Sequence, residues 1–516
     1  MPSETTDVLF ERYGPRYRWF VTVTVLIGTV SAMVTTTIVN VAIPDIMGAF
    51  GIGQDQAQWL MTGALSAMTV GMLLNAWLIR NFGQRRTFIG ALSAFVISLF
   101  VAGAAPNETV LVFCRVVQGC VAGILQPLAV YTLYRVFPPE QKGRAMGLFG
   151  ISVILGPALG PTLGGLLIDL FNWRYIFYIP LPLSVAAMLL GSVFMPEREE
   201  TTVRPNFDWV GLFLLTVAIA SMLTGLSNGQ REGWDSNFVL GHIGTSLVAG
   251  LTFVVWELRM LHPLVELRVL ASGSFLAAAC VAFVMGAGLF GTVYLVPLFV
   301  ESIQGFTPLM AGLLLMPPGL VMGLALPVGG YLTDRLPANW LIMAGCGCFA
   351  LSCYWFGSAD VNTPFWSLVW WVTLSRIGLA LINPSLNVAG MRAVRTEHLG
   401  QGAGMINFCR QLGGAFGVNL LSVMLDRRTF LYSDALTSLQ TAGNSSTADL
   451  LRHMQELLSR AGAPEELQAS GALHFLDKVI YAQAYTMGFR DSFLICGAVF
   501  VLALFPAWIM GRARRH

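Results

Sequence analysis

Arg115 lies inside an apolar stretch, Val110–Tyr134, with Gln118 three residues on and Gln126-Pro127 beyond it. A guanidinium at membrane depth costs roughly 2.5–3.5 kcal/mol on insertion scales, and such charges line a cavity or bond to backbone carbonyls. A spacing of three puts Gln118 on the face of Arg115. Pro127 removes a main-chain hydrogen bond and frees a carbonyl near Gln126. This is chemistry for binding: a fixed cation beside amides holds an anion or a polar group. Two readings of Arg115 stand side by side, a cavity-lining cation and a brace on main-chain carbonyls. Arg376 and Arg410 lie in later apolar stretches and carry the same two readings. Arg410 is near enough to one end to snorkel to the surface.

Other chemistries are missing. None of the 28 acidic residues falls in the middle of an apolar stretch; Asp45, Asp169, Glu301 and Asp334 fall near ends. No buried carboxylate is therefore expected to hold a proton. The eight cysteines all lie in apolar segments and form no disulfide framework. Cys346 and Cys348 have no His or acidic neighbour, so no metal is expected. A P-loop, paired zinc histidines and a nucleophile motif are absent, which speaks against an enzyme, a cofactor and ATP-driven transport. A net charge of +2 carries no message about nucleic acid.

The elements that hold these residues follow from composition. Of 516 residues, 55% are hydrophobic and 11% charged, against about 25% charged in a soluble domain. The chain reads as an all-α polytopic membrane protein. Fourteen stretches are long and apolar enough to span a bilayer, from Trp19–Ala42 to Phe493–Met510. With both termini cytoplasmic, the short inner loops hold Arg80, Arg85, Arg86, Arg135, Lys142 and Arg144, among others, while the short outer loops hold Arg174 and Arg231. That asymmetry follows the positive-inside rule. One long outer loop remains, Asp426–Asp491. Within it Leu450, Met454, Leu457 and Leu458 share a helical face, read either as a surface helix over the outer mouth or as a docking element.

Residues 154–165 read Ile-Leu-Gly-Pro-Ala-Leu-Gly-Pro-Thr-Leu-Gly-Gly. Interior Gly costs roughly 1 kcal/mol and interior Pro about 3 against Ala in a soluble helix. A membrane helix keeps them where neighbours re-satisfy the backbone, and glycines three and four apart allow close contact. The chain also repeats at an offset of 257 residues: Gly143 and Gly147 fall on Gly400 and Gly404, Gly156 and Gly160 on Gly413 and Gly417, and Pro127 on Pro384. The organisation expected is a six-helix half over residues 1–195 and two inserted helices over 196–270. A second six-helix half covers 271–510, including the outer segment 426–491, and a basic tail covers 511–516. Repeated halves around a central site are the usual build of secondary transporters.

Four segments resemble the fourteen-helix drug:proton antiporters (EmrB/QacA type) of the major facilitator superfamily: Thr37-Ile-Val-Asn40-Val-Ala-Ile-Pro44, Arg115-Val-Val-Gln118-Gly119, the Gly-Pro stretch as an antiporter motif, and Trp173-Arg-Tyr-Ile-Phe177. The resemblance implies a major facilitator fold in the inner (plasma) membrane. It implies proton-coupled efflux of many hydrophobic compounds by alternating access. Arg115, Gln118, Thr35, Asn40, Gln126 and Arg376 would form the substrate and proton pathway. Gly156, Pro157, Gly160, Pro161, Gly164 and Gly165 would form the antiporter motif. Gly83, Arg85, Arg86, Asp334 and Arg335 would form the cytoplasmic gate loops. Partners implied are a small hydrophobic substrate, protons and lipid, with a periplasmic membrane-fusion adaptor and an outer-membrane channel common in the family.

The chain also departs from the pattern. Thr35 stands where the family's first helix carries an aspartate, and Arg80 where the first gate loop carries one; Asp334 keeps it in the second loop. Which group carries a proton stays open. A cavity with Arg115 and no carboxylate favours neutral or anionic amphiphiles over dications. The 33 Phe and 22 Met suit an adaptable pocket. Two alternatives remain: an importer or symporter of an organic acid on the same fold, and a non-transporting receptor or assembly subunit.

Overall fold

The computed structural model describes residues 6–197, 208–260, 263, 267–440, 444–462 and 464–512. No strand occurs among them. In chain order the helices are α1 (Thr6–Tyr13), α2 (Tyr17–Phe50), α3 (Gln54–Gly103), α4 (Glu108–Val136), α5 (Lys142–Leu170), α6 (Pro180–Phe194), α7 (Trp209–Glu232), α8 (Asn237–Arg259), α9 (Gly273–Ser302), α10 (Pro308–Arg335), α11 (Ala338–Phe356), α12 (Phe365–Arg392), α13 (Leu399–Ser438), α14 (Ser445–Arg460), α15 (Glu465–Leu502) and α16 (Leu504–Arg512). Lipid offers no hydrogen bonds, so an apolar chain must satisfy its main chain internally, and helices do so.

Twelve helical runs among the described residues are long and apolar enough to cross a membrane. One of them, Trp59–Gly103, is two arms joined at Gly83, whose φ of 80° and ψ of 170° break the helix. The Gly-Pro stretch lies in the 29-residue α5, whose backbone stays helical throughout.

Buried apolar residues form two clusters. One gathers side chains from Leu9 to Met195, with Val388, Met391, Leu399 and Ala403 added. The other runs from Leu215 to Met510 and takes in Val70 and Leu73. Helices α7 and α8 pack as a pair, with Ser246 Oγ donating to the Ala218 carbonyl at 2.7 Å. Leu215, Ile219, Leu223 and Phe253 attach the pair to the second cluster. Val248 and Leu251 on α8 are both 68% exposed, as a lipid-facing surface should be.

The outer segment departs from expectation. Residues 426–491 are helical over most of their length, because α13 runs on to Ser438 and α15 begins at Glu465. Ala472, Ile480, Ala484 and Gly488 recur on one face of α15 and are buried, which extends the helix outwards. Tyr432 donates to Asp491 at 2.9 Å, and Arg428 pairs with the same carboxylate at 3.3 Å. The short helix α14 lies on α15, with Leu458 against Gly471, while Leu457 points outward and is 55% exposed.

Candidate functional site

Close packing of α3 on α4 builds the first polar group. Gly119 and Gly123 of α4 face the main chain at Ala64 and Met68, and Gly71 of α3 faces that at Cys120. Only small residues permit this approach. It brings the Leu60 carbonyl to Arg115, which is 2% exposed. Arg115 Nε donates to Leu60 O at 3.2 Å; Nη1 donates to Thr35 O and to Gln118 Oε1, each at 3.1 Å. Arg115 therefore braces α2, α3 and α4 through two carbonyls while also holding Gln118. The Gln118 amide nitrogen is buried with no partner among the described residues. Thr35 contributes its main chain; its hydroxyl donates to Ser31 O at 2.9 Å along α2.

Gln126 stands apart from this group, about 16 Å further along α4 at 1.5 Å per residue. Its Oε1 accepts from Arg410 Nη2 at 3.0 Å, and its Nε2 donates to Met33 Sδ at 3.1 Å. Arg410 Nη2 also donates to Asn407 Oδ1 at 2.6 Å. A polar chain thus crosses from α13 through α4 to α2. Arg410 does not snorkel: it is 7% exposed. Gly286 of α9 faces the Arg410 carbonyl, and Gly413 faces that of Phe283, so α9 and α13 press together and leave the guanidinium inside the bundle. The amides of Gln126 and Asn407 make that position tenable.

Arg376 joins neither group. It is 5% exposed on α12 beside Cys353 of α11, and its Nη1 meets no acceptor among the described residues. Asn75 of α3 is fully buried with both amide ends unpartnered among the described residues. Sequence reasoning passed over it, although an amide within an apolar span was a signal.

No carboxylate pairs with Arg115, Arg376 or Arg410 among the described residues. The buried acids are elsewhere. Asp208, 4% exposed, caps α7 by accepting from Gly211 N at 2.8 Å and takes a bond from Trp256 Nε1 at 3.0 Å. Glu257, 3% exposed, lies beside the same glycine. Neither was singled out from sequence, because both stand at the ends of apolar stretches.

The glycines of the Gly-Pro stretch line one face of α5. Gly156 lies against Met33, and Gly160 and Gly164 against Ile38, with Thr37 also on Gly160. Thr37 Oγ1 donates to the Gly156 carbonyl at 3.0 Å. Gly165 has no neighbour within 4 Å of its Cβ position. In α13, Gly413 and Gly417 face Phe283 and Ala287 of α9 in the same manner. The side chains of Pro157, Pro161 and Asn40 lie outside the described residues.

The gate-loop residues divide. Asp334 Oδ1 accepts from Gly143 N at 2.6 Å and Oδ2 from Arg144 N at 3.1 Å, so it caps the first turn of α5 from another helix. A carboxylate is favoured there by the helix dipole. Gly143 and Gly330 make this possible, since each faces the other's main chain at the α5–α10 crossing. Arg335 and Arg144 lie over the Tyr331 ring, 4.4 and 4.8 Å from its centre. Gly83 supplies the break between the arms of α3. Arg85 turns to Glu197 after α6, at 3.0 Å, and Arg86 is exposed. In the first-loop copy, Gly400 of α13 packs beside Ala76, and Arg80 stands where a carboxylate would cap.

Known proteins share this architecture. Residues 25–418 match the Major Facilitator Superfamily profile. The chain is 27% identical to the fatty acid resistance protein FarB of Neisseria gonorrhoeae, over 96% of each chain. It is 28% identical to the multidrug export protein EmrB of Escherichia coli, over 94% of each. Its fold superposes on that of the proton:xylose symporter XylE with a TM-score of 0.63 at 15% identity, covering 96% of each chain. Buried polar groups on a helical bundle of this build suit passage of a solute and not bond chemistry. The chain belongs to the Major Facilitator Superfamily, alongside its drug:proton antiporters, as a multi-pass transporter of the plasma membrane and not an enzyme.

Proposed function

We propose that this transporter exports hydrophobic neutral or anionic compounds in exchange for protons, by alternating access. The observation that carries this reading is the burial of Arg115, Arg376 and Arg410 without a carboxylate partner among the described residues. A bundle interior of that sign favours anions over dications. Similarity to a fatty acid resistance protein and to a multidrug export protein supports the direction and the class. The moving bodies would be residues 1–195 and 271–510, with 196–270 as an inserted pair. The two apolar clusters support this division. The projecting ends of α13 and α15, with Leu439, Leu467 and Leu473 each more than half exposed, would meet a periplasmic adaptor and through it an outer-membrane channel.

The test is export from proteoliposomes of a fatty acid, a neutral dye and a quaternary dication, with and without an imposed pH gradient. The fatty acid should move fastest, and only with the gradient. Transport indifferent to the gradient ends the coupling reading, and dication export at the same rate ends the charge reading. Accumulation in place of extrusion would favour an importer of an organic acid.

A further inference from the structure

A second basic site lies far from the buried arginines. A cavity of about 590 Å³ opens where the end of α4, the start of α5, the end of α12 and the start of α13 meet under α1. Arg18, Arg135, Lys142 and Arg392 line it, with Tyr134 and Thr396 as the neutral polar groups, and no carboxylate is in the lining. The acids adjacent in sequence to lining residues, Glu11, Glu140 and Glu397, are exposed and outside it. Phe10, Phe137, Met391, Val394 and Leu399 complete an apolar wall.

Lys142 and Arg18 are held against aromatic rings at the cavity. Lys142 Nζ rests over the Tyr134 ring, 3.6 Å from its centre. Arg18 lies over Phe10 at 5.5 Å, and its buried Nε has no partner among the described residues. Burial and the neighbouring Arg392 both push the Lys142 ammonium below its ordinary pKa. The start of α5 is already capped by Asp334, so an occupant would be held by side chains. Guanidinium forks and an ammonium match phosphate oxygens, and the apolar wall suits a body attached to that phosphate.

We infer that this cavity is a binding site for a phosphate group, entered from the side of the basic loops. The site does not rest on the export reading. Its ligand comes either from the inner leaflet as an acidic headgroup or from solution as a free phosphate.

Two arms separate these sources. Full-length protein in nanodiscs of phosphatidylcholine with phosphatidylglycerol is released, and retained lipid is counted by native mass spectrometry. In parallel, inorganic phosphate is titrated against the thermal midpoint. Retention of phosphatidylglycerol identifies the leaflet as source; stabilisation by phosphate alone identifies solution. Lys142→Gln with Arg392→Gln should weaken binding roughly thirtyfold, and Arg392→Gln alone about fivefold. Arg392→Lys should keep it, as should Arg259→Gln at an exposed position elsewhere. Retention equal to wild type in a folded double variant overturns the site, as does binding in neither arm. Should the double variant fail to fold, Arg392→Gln at its exposed position decides by the same readout.

Discussion

Asp334 accepts the main-chain N–H of Gly143 at 2.6 Å, joining residues 191 positions apart. The bond closes one helix of the first apolar cluster onto one that packs with the second, at the end where the basic loops gather. The motif-equivalent position in the first loop, two residues after Leu78 as Asp334 is two after Leu332, has Arg80 in place of a carboxylate. The carboxylate cap is thus present in the second loop and missing from the motif copy in the first.

Asp334→Asn should loosen the α5–α10 junction. A capping carboxylate is worth about 1 kcal/mol, which is about fivefold in the population of the opened side. Accessibility to a water-soluble maleimide of a cysteine in place of Ile151, which packs on the second cluster, measures it. Unchanged labelling would mean the cap does not hold the gate.

Arg115→Ala should remove export and lower the thermal midpoint together, since the Leu60 and Thr35 carbonyls lose their donor. Bonds to a charged donor are worth about 1.5–3 kcal/mol each. Gln118→Ala leaves those carbonyls bonded, so it should lower export with little change in midpoint. A Gln118→Ala protein of normal activity would reduce the group to a brace.

Gln126 and Arg410 should be energetically coupled. A double-mutant cycle with Gln126→Ala and Arg410→Ala, read on thermal stability, should give an interaction of roughly 0.5–3 kcal/mol. Additive effects would show that the contact contributes nothing.

Gly165→Ala should be close to silent, having open space at its Cβ position, whereas Gly156→Ala collides with Met33. Gly413→Ala meets the Phe283 carbonyl and should be as harmful as Gly156→Ala. Expression and export of the three variants check this. Equal tolerance at 156 and 165 would remove the packing argument.

Much of this was legible in the chain. Arg115 and Gln118 are one turn apart, so local spacing was enough to pair them. The glycines of 154–165 announced close packing, and the offset of 257 residues gave them a counterpart. The partner of Arg410 was not legible, because Gln126 is 284 residues away and no local pattern records such a contact. The outward extension of α13 and α15 was missed for a related reason: charged residues masked the buried face of Ala472, Ile480 and Ala484. Asp208 and Glu257 escaped notice because position near a span end does not reveal burial.

The uncompensated arginines also have an electrical consequence. Moving one elementary charge across a membrane at 100 mV involves about 2.3 kcal/mol. Three fixed cations sit within the bundle, and any rocking that carries them through part of the field does work against the membrane potential. The turnover of a neutral cargo should then respond to voltage alone, at constant pH on both sides, with the protein itself acting as the moving charge.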